Sequence, residues 1–213
     1  MVECVVPFAG CCEHRERALE FILDRAEYPV TISATVGPWS KARAVRPAVE
    51  ASSANIVVVA DADCVTDGLF AAIQAVKDGA AWAIPHGKVC RLTKAGTELF
   101  MSTGEYAHPF DRRPYRGFPG GGFVVAPRET LLNVPLDPRF VGWGQEDEAW
   151  AVALTCLVGP PWRGNADLVH LYHPPEPRVS RRKGSEASWG LYRRYRNAAT
   201  DPHRMRELLK EVT

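Results

Sequence analysis

At 213 residues, with 46% hydrophobic and 24% charged residues, the chain can bury a sizeable core and is still compatible with a single domain. Its 26 Lys and Arg nearly match its 25 Asp and Glu, so no overall field draws it to nucleic acid. The six cysteines form no Cys-x-x-Cys pair and no compact disulfide framework, no signal peptide is recognisable, and no apolar run nears the length of a membrane span, so the expectation is a cytoplasmic protein with reduced thiols.

Taken in order, Glu3 to Phe8 reads as a first strand, and Glu13 to Ala26 as a helix with Leu19, Ile22 and Leu23 on one face. Val30 to Val36 is a second strand, and Lys41 to Ser52 a helix interrupted by Pro47. Asn55 to Asp61 is the central strand. Its β-branched run Val57-Val58-Val59 is the pattern of a strand buried on both faces of a parallel sheet. Asp67 to Lys77 is a helix with Leu69, Phe70, Ile73 and Val76 at core spacing, closed by Gly79, and Ala80 to Pro85 returns as a strand. This β-α-β-α-β series predicts an α/β, Rossmann-like fold with a mostly parallel central sheet. Residues 87 to 119 have no clean period and are rich in Gly, Arg, Tyr and Pro, which reads as a long excursion rather than core. Ala149 to Leu154 form an apolar helix that stops at Gly159. Helices are expected from Ser185 to Ala199 and again after Asp201-Pro202, which has the form of a helix cap.

Two phrases carry chemistry. The central strand delivers Asp61 and Asp63 to its carboxyl end, where ligands of open α/β sheets bind. A divalent cation on such carboxylates would neutralise a diphosphate; the plain alternative is that Asp-x-Asp ends the strand and caps the next helix. Downstream, Gly142-Trp143-Gly144-Gln145-Glu146-Asp147 puts two carboxylates in the first turn of a helix. A capping pair would look the same. The two glycines around an indole that can stack on a sugar ring favour acceptor binding beside a catalytic carboxylate.

The stretches Gly120-Gly121-Gly122-Phe123-Val124-Val125-Ala126-Pro127-Arg128-Glu129, Asp137-Pro138-Arg139-Phe140 and Gly142-Trp143-Gly144-Gln145-Glu146-Asp147 resemble the carboxy-terminal domain shared by inverting galactosyltransferases and polypeptide N-acetylgalactosaminyltransferases. Those are GT-A glycosyltransferases. The resemblance runs over roughly residues 2 to 175, taking in Val5-Val6-Pro7-Phe8 and the Asp61-Ala62-Asp63 motif. It implies a metal-dependent transferase of a sugar from a nucleotide donor, a UDP-sugar by expectation, to a glycan, protein or small-molecule acceptor. Donor contacts would come from Pro7, Phe8, Arg15, Arg17, Asp61, Ala62, Gly121 and Gly122. Asp63 would bind Mn2+ or Mg2+ with a late histidine, for which His170 and His173 in His170-Leu171-Tyr172-His173 are both candidates. Trp143, Gly144 and Glu146 would hold the acceptor, and Asp147 would be the general base of an inverting reaction. Retaining relatives share the domain without using that base. Gln145 stands where glycine is frequent, and Ala9-Gly10-Cys11-Cys12 separates Pro7-Phe8 from Arg15, which leaves the nucleotide base open.

The carboxy-terminal part, residues 176 to 213, differs in character. From Arg178 to Arg206 nine basic residues face two acidic ones. Arg181, Arg182 and Lys183 either fold over the donor phosphates as a lid packed on the domain formed by residues 1 to 175, or belong to a solvated basic face. A non-catalytic carbohydrate-binding protein would not need Asp63, Asp147 and a late histidine together. A nucleic-acid binder is disfavoured by the acidic cluster Glu146 to Glu148, and the Gly-rich basic signature of nucleotidyltransferases after the first strand is absent.

Overall fold

The computed structural model describes residues 1–10, 12–106, 110–175 and 184–211. The first half alternates as the sequence predicts: β1 (Val2–Pro7), α1 (Glu13–Leu23), β2 (Val30–Ser33), α2 (Lys41–Ala51) and β3 (Ile56–Ala60). There follow β4 (Cys64–Val65), α3 (Leu69–Lys77), β5 (Ala83–Arg91), α4 (Lys94–Thr103), β6 (Tyr115–Arg116), β7 (Phe123–Pro127) and α5 (Arg128–Asn133). The chain continues with α6 (Glu146–Val158), β8 (Trp162–His170), α7 (Glu186–Ala198) and α8 (Pro202–Lys210). One sheet of order β2-β1-β3-β7-β5-β8-β4 unites the strands, with β6 beside β5. β2, β1 and β3 pair in parallel, as do β5 and β8; β7 runs against both β3 and β5.

Side-chain alternation along the strands divides the core between two faces. Val5, Val57, Val59 and Ile84 face one way and pack with residues of α2, α5, α6, α7 and α8, including Trp150, Tyr195 and Met205. Cys4, Val6, Val58 and Ala83 face the other way, against Leu19 of α1 and Ala72, Ile73 and Val76 of α3. Both faces of β3 are therefore covered, the reason its residues are continuously apolar. The last two helices belong to this same core. Asp201 caps α8 by accepting from the backbone N–H groups of His203 and Arg204.

Three expectations need correction. Residues 87 to 119 are not all excursion: β5 extends to Arg91, and α4 buries Gly96, Thr97 and Phe100 between a Thr93 cap and Gly104 in the left-handed region. Two irregularities in the β5–β8 register, around His86, break the apolar period there. α2 runs unbroken through Pro47, because Ala42, Ala44, Val45 and Val49 are buried on both sides of the lost hydrogen bond. Phe70 is 66% exposed. It lies roughly 110° around α3 from the mean direction of Ala72, Ile73 and Val76, given 100° per residue.

Candidate active site

The carboxyl ends of β1 and β3 open onto a cleft of about 650 Å³, lined among others by Pro7, Phe8, Arg15, Lys41, Asp61, Asp63, His86, Gly122, Trp143, Asp147, His170 and His173. That is the size of an ordinary ligand site. Ala62, Gly121, Gly144 and Glu146 line it too, so the structure gathers residues from distant parts of the chain into one place.

The backbone explains the first cluster. β4 pairs antiparallel with the end of β8, matching Cys64 to His170, and the Leu171 N–H donates to the Asp63 carbonyl at 2.8 Å. The Asp63 carboxylate then lies 3.8 Å from Nε2 of His170 and 3.3 Å from Nε2 of His173. Nδ1 of His170 is 2.8 Å from the Leu171 carbonyl, and Nδ1 of His173 is 2.7 Å from the Pro174 carbonyl. A carbonyl only accepts, so Nδ1 of His170 carries the hydrogen and its Nε2 lone pair turns toward Asp63; Nδ1 of His173 has both the Pro174 carbonyl and, at 3.3 Å, the Arg15 guanidinium beside it, so these contacts do not fix its tautomer. Burial pushes His170 down to about 4 against the pull of Asp63, and lowers His173 as well. The His170 lone pair facing a buried carboxylate is a place for a cation, although the Arg15 guanidinium, 3.5 Å from Nε2 of His173, already lends Asp63 some positive charge. A backbone acceptor on the remote nitrogen is also what orients metal-binding histidines. The donor atoms of Asp63, Cys64 and His170 lie within 4.8 Å of one another and fit a divalent metal, while His173 stands beside Asp63 outside that group.

The second cluster is organised by a residue that sequence reasoning did not single out. Lys41, at the start of α2, is buried, and its ammonium donates to Asp61 at 2.6 Å and to Asp147 at 2.8 Å. Burial opposes its charge, but the two carboxylates override it and hold the pKa far above the ordinary lysine value. Burial raises Asp147 to about 7; Lys41 pulls the other way, and Asp61 and Glu146 add to the rise. Glu146 is raised also, chiefly by burial, while its Oε2 accepts from the Gly144 N–H at 2.6 Å. Asp61 is fixed on its other side by the Gly122 N–H at 2.9 Å, and its own N–H donates to the Gly122 carbonyl. The glycine turn has to be bare: a Cβ on Gly120, whose φ is +96°, would lie 2.3 Å from the Asp147 carbonyl oxygen. Gln145 takes φ +69° at the entry of α6, and its side-chain oxygen accepts from the Gly184 N–H.

Trp143 is stacked on Trp39, with ring centroids 5.7 Å apart and planes 20° from parallel, and the Arg15 guanidinium lies 5.3 Å over the Trp143 ring. The Gly142 N–H donates to the Trp39 carbonyl, which ties this turn to the segment before α2. Trp39, like Lys41, was not among the predicted site residues. The signal available for both was their position, since the segment after β2 and the start of α2 stand on the ligand side of a parallel sheet. Arg17 does not reach the cleft. It pairs with Glu98 in a solvent-exposed bidentate bridge, 2.8 and 3.0 Å long. Arg181, Arg182 and Lys183 lie outside the described residues; Pro175 before them lines the cleft, and Gly184 after them packs on Trp143 and Gly144.

The chain is similar to solved structures. A mannosyltransferase from Pyrobaculum calidifontis, in complex with GDP-mannose and Mn2+, matches with a TM-score of 0.50 at 16% identity, over 98% of this chain and 68% of that one. The fold is GT-A-like. A glucosyl-3-phosphoglycerate synthase from Mycobacterium tuberculosis, in complex with Mg2+ and UDP, gives a TM-score of 0.48 at 14% identity, over 83% of this chain and 72% of the other. No protein-family model and no curated protein matches the sequence. At these identities the likeness is one of fold, and chemistry has to be argued from the site itself. Among the described residues no helix is long and apolar enough to cross a membrane.

Proposed function

We propose that this protein is a metal-dependent glycosyltransferase that moves a sugar from a nucleotide-diphosphate donor to an acceptor hydroxyl with inversion, Asp147 acting as the base. The observation that carries the reading is one cleft holding two differently tuned carboxylate sites: Asp63 with two histidine rings beside it, and a half-buried Asp147 raised to about 7. A bound cation would neutralise the donor diphosphate and ease its departure. One carboxylate and two imidazoles suit Mn2+ better than Mg2+, which prefers oxygen ligands throughout.

The remaining work falls to this chain's own side chains. Lys41 holds Asp147 and Asp61 in place and favours the ionised form of Asp147, so the carboxylate can take a proton from an incoming hydroxyl near neutral pH. The Trp143 face, backed by Trp39 and by Arg15, offers an apolar platform for the acceptor, with Glu146 beside it as a hydroxyl partner. Pro7, Phe8 and Arg15 stand where the nucleotide would enter, and Ala62, Gly121 and Gly122 offer backbone close to the donor. UDP is the first donor nucleotide to test, because the sequence phrases resemble those of UDP-dependent families.

The test is calorimetry with UDP and GDP donors, with and without Mn2+, followed by NMR of the product's anomeric configuration. Metal-dependent donor binding with inverted product is the expected result. Retention would reassign Asp147 to holding the acceptor, and no donor binding by any nucleotide sugar would refute the reading.

A further inference from the structure

His86 has no part in the chemistry above, yet it is buried in the floor of the same cleft. It sits on β5 between the two register irregularities opposite β8, with no measurable solvent exposure. Among the described residues, neither Nδ1 nor Nε2 has a hydrogen-bond partner. Buried polar groups in native proteins nearly always have one, and leaving a donor and an acceptor both unmet in a core is costly. The described residues therefore supply no partner, and one is wanted.

The surroundings narrow what it is. Gly117 and Gly122 pass close to the ring: a Cβ on Gly117 would lie 3.2 Å from Nε2 but 2.7 Å from the Val89 side chain, and one on Gly122 3.5 Å from Cε1 but 2.6 Å from Leu168, so a ligand atom reaches the ring only as this cover shifts. Gly122 also gives its N–H to Asp61, the carboxylate that Lys41 joins to Asp147. His86 thus lies next to the junction of the glycine turn and the reacting carboxylates, whereas the paired indoles Trp39 and Trp143 form the acceptor platform. Desolvation, reinforced by Arg163, keeps the ring neutral, with its pKa near 4. A neutral imidazole offers one N–H and one lone pair. A phosphate oxygen could use only the first. A hydroxyl can use either, because it both donates and accepts.

We propose that His86 is a specificity-determining residue that hydrogen-bonds a hydroxyl of the sugar carried by the nucleotide donor. This rests on the glycosyltransferase reading, and the experiment separates the two. Calorimetry in the presence of Mn2+ compares UDP with UDP-glucose and UDP-galactose, and GDP with GDP-mannose, in the wild type, His86→Phe and His86→Gln. The quantity read is the sugar's increment, the ratio of the Kd of the bare nucleotide to that of the nucleotide sugar. The wild type is expected to bind at least one nucleotide sugar more tightly than its nucleotide. His86→Phe should keep the affinity for the bare nucleotide and lose about tenfold of the increment, and His86→Gln, which retains a donor and an acceptor, should recover part of it.

An unchanged increment in His86→Phe would overturn the proposal while leaving the transferase reading intact, and would assign the imidazole to a buried water. The same holds if the wild type shows no increment for any sugar. A wild type that binds no nucleotide with Mn2+ overturns both. Thermal unfolding monitors each variant. If His86→Phe does not fold, the ranking of the three sugars in His86→Gln decides, a changed ranking supporting the proposal and an unchanged one overturning it.

Discussion

Lys41→Met removes the ammonium that joins Asp61 and Asp147 and replaces it with an apolar side chain of similar length. At 2.8 Å the attraction to Asp147 is about 6 kcal/mol if the effective dielectric constant is near 20, and about 1.5 kcal/mol if it is that of water. The two aspartate side chains retain 30% and 27% of their exposure while Lys41 retains 7%, so the pair lies between the two limits, and the lower end, set by the solvent-facing carboxylates, is the conservative choice. At 1.36 kcal/mol per unit, loss of Lys41 should then raise Asp147 by about one to two units, from about 7 to between about 8 and 9. The acidic limb of donor turnover should move up by the same interval.

Stability supplies an assay that needs no substrate. The folded-state pKa of Asp147 lies above the unfolded value of about 3.9 in both proteins, so folding is favoured by protonation and loses stability as pH rises through the folded pKa. In the wild type that loss ends near 7; in Lys41→Met it continues to between about 8 and 9. The stability gap should therefore be constant below pH 6 and widen by about 1.5 to 3 kcal/mol by pH 9, read from urea unfolding at each pH. A gap that stays the same from pH 5 to pH 9, or an acidic limb that does not move, would refute the role given to Lys41.

Asp147→Asn should leave donor affinity nearly unchanged in calorimetry and lower kcat by roughly two to four orders of magnitude. Asp63→Ala, and the double variant His170→Ala/His173→Ala, should each abolish the Mn2+-dependent part of UDP binding; retention of that signal in both would exclude the site. Trp143→Ala and Trp39→Ala should raise the acceptor KM with a smaller change in kcat, the first by about tenfold, a loss of about 1.4 kcal/mol for a stacked ring. Asp137, buried and bound by Arg139 and by the Tyr195 hydroxyl at 2.8 Å, anchors α7 and α8 beneath the catalytic turn. Tyr195→Phe should cost about 1.5 to 3 kcal/mol in denaturant unfolding, the value of a hydrogen bond to a charged acceptor, and Asp137→Ala about 3 to 5, because it strands Arg139.

What could be read from the sequence was whatever chemistry sits in contiguous phrases or regular periods. The Val57 to Val59 run placed β3, and with it Asp61 and Asp63, because a strand covered on both faces has no polar interruption. Lys41 and Trp39 were invisible for the opposite reason. Each is a single residue in an unremarkable context, and only the fold brings them within reach of residues 20 to 106 positions away. Arg15 and Arg17 illustrate the limit of motif transfer. On a helix residues two apart point about 200° apart, so only one of the pair can face the cleft, and here it is Arg15 while Arg17 turns to Glu98. His86 escaped notice because a strand with two register irregularities has no clean period to set its buried His86 apart from Lys88 and Arg91.

Lys41 also accounts for the composition of the other cluster. Of the two aspartates in Asp61-Ala62-Asp63, Asp61 is already committed: Lys41 takes one oxygen and the Gly122 N–H the other. That leaves Asp63 as the carboxylate of the pair free to meet a cation. A single buried carboxylate gives a hard divalent ion too few donors, so further ligands must come from elsewhere in the fold. The end of β8 offers candidates, because the β4–β8 pairing carries His170 up to Asp63 and His173 stands 3.3 Å from it. The ammonium thus separates the cleft into two halves of different charge. On one side Asp147 and Asp61 share a fixed positive partner; on the other Asp63 faces neutral imidazoles and has its charge left to offer. If Asp147 is the base and Asp63 the metal ligand of one cleft, the metal must not capture the base, and Lys41, held by both Asp61 and Asp147, is the group placed to keep them apart.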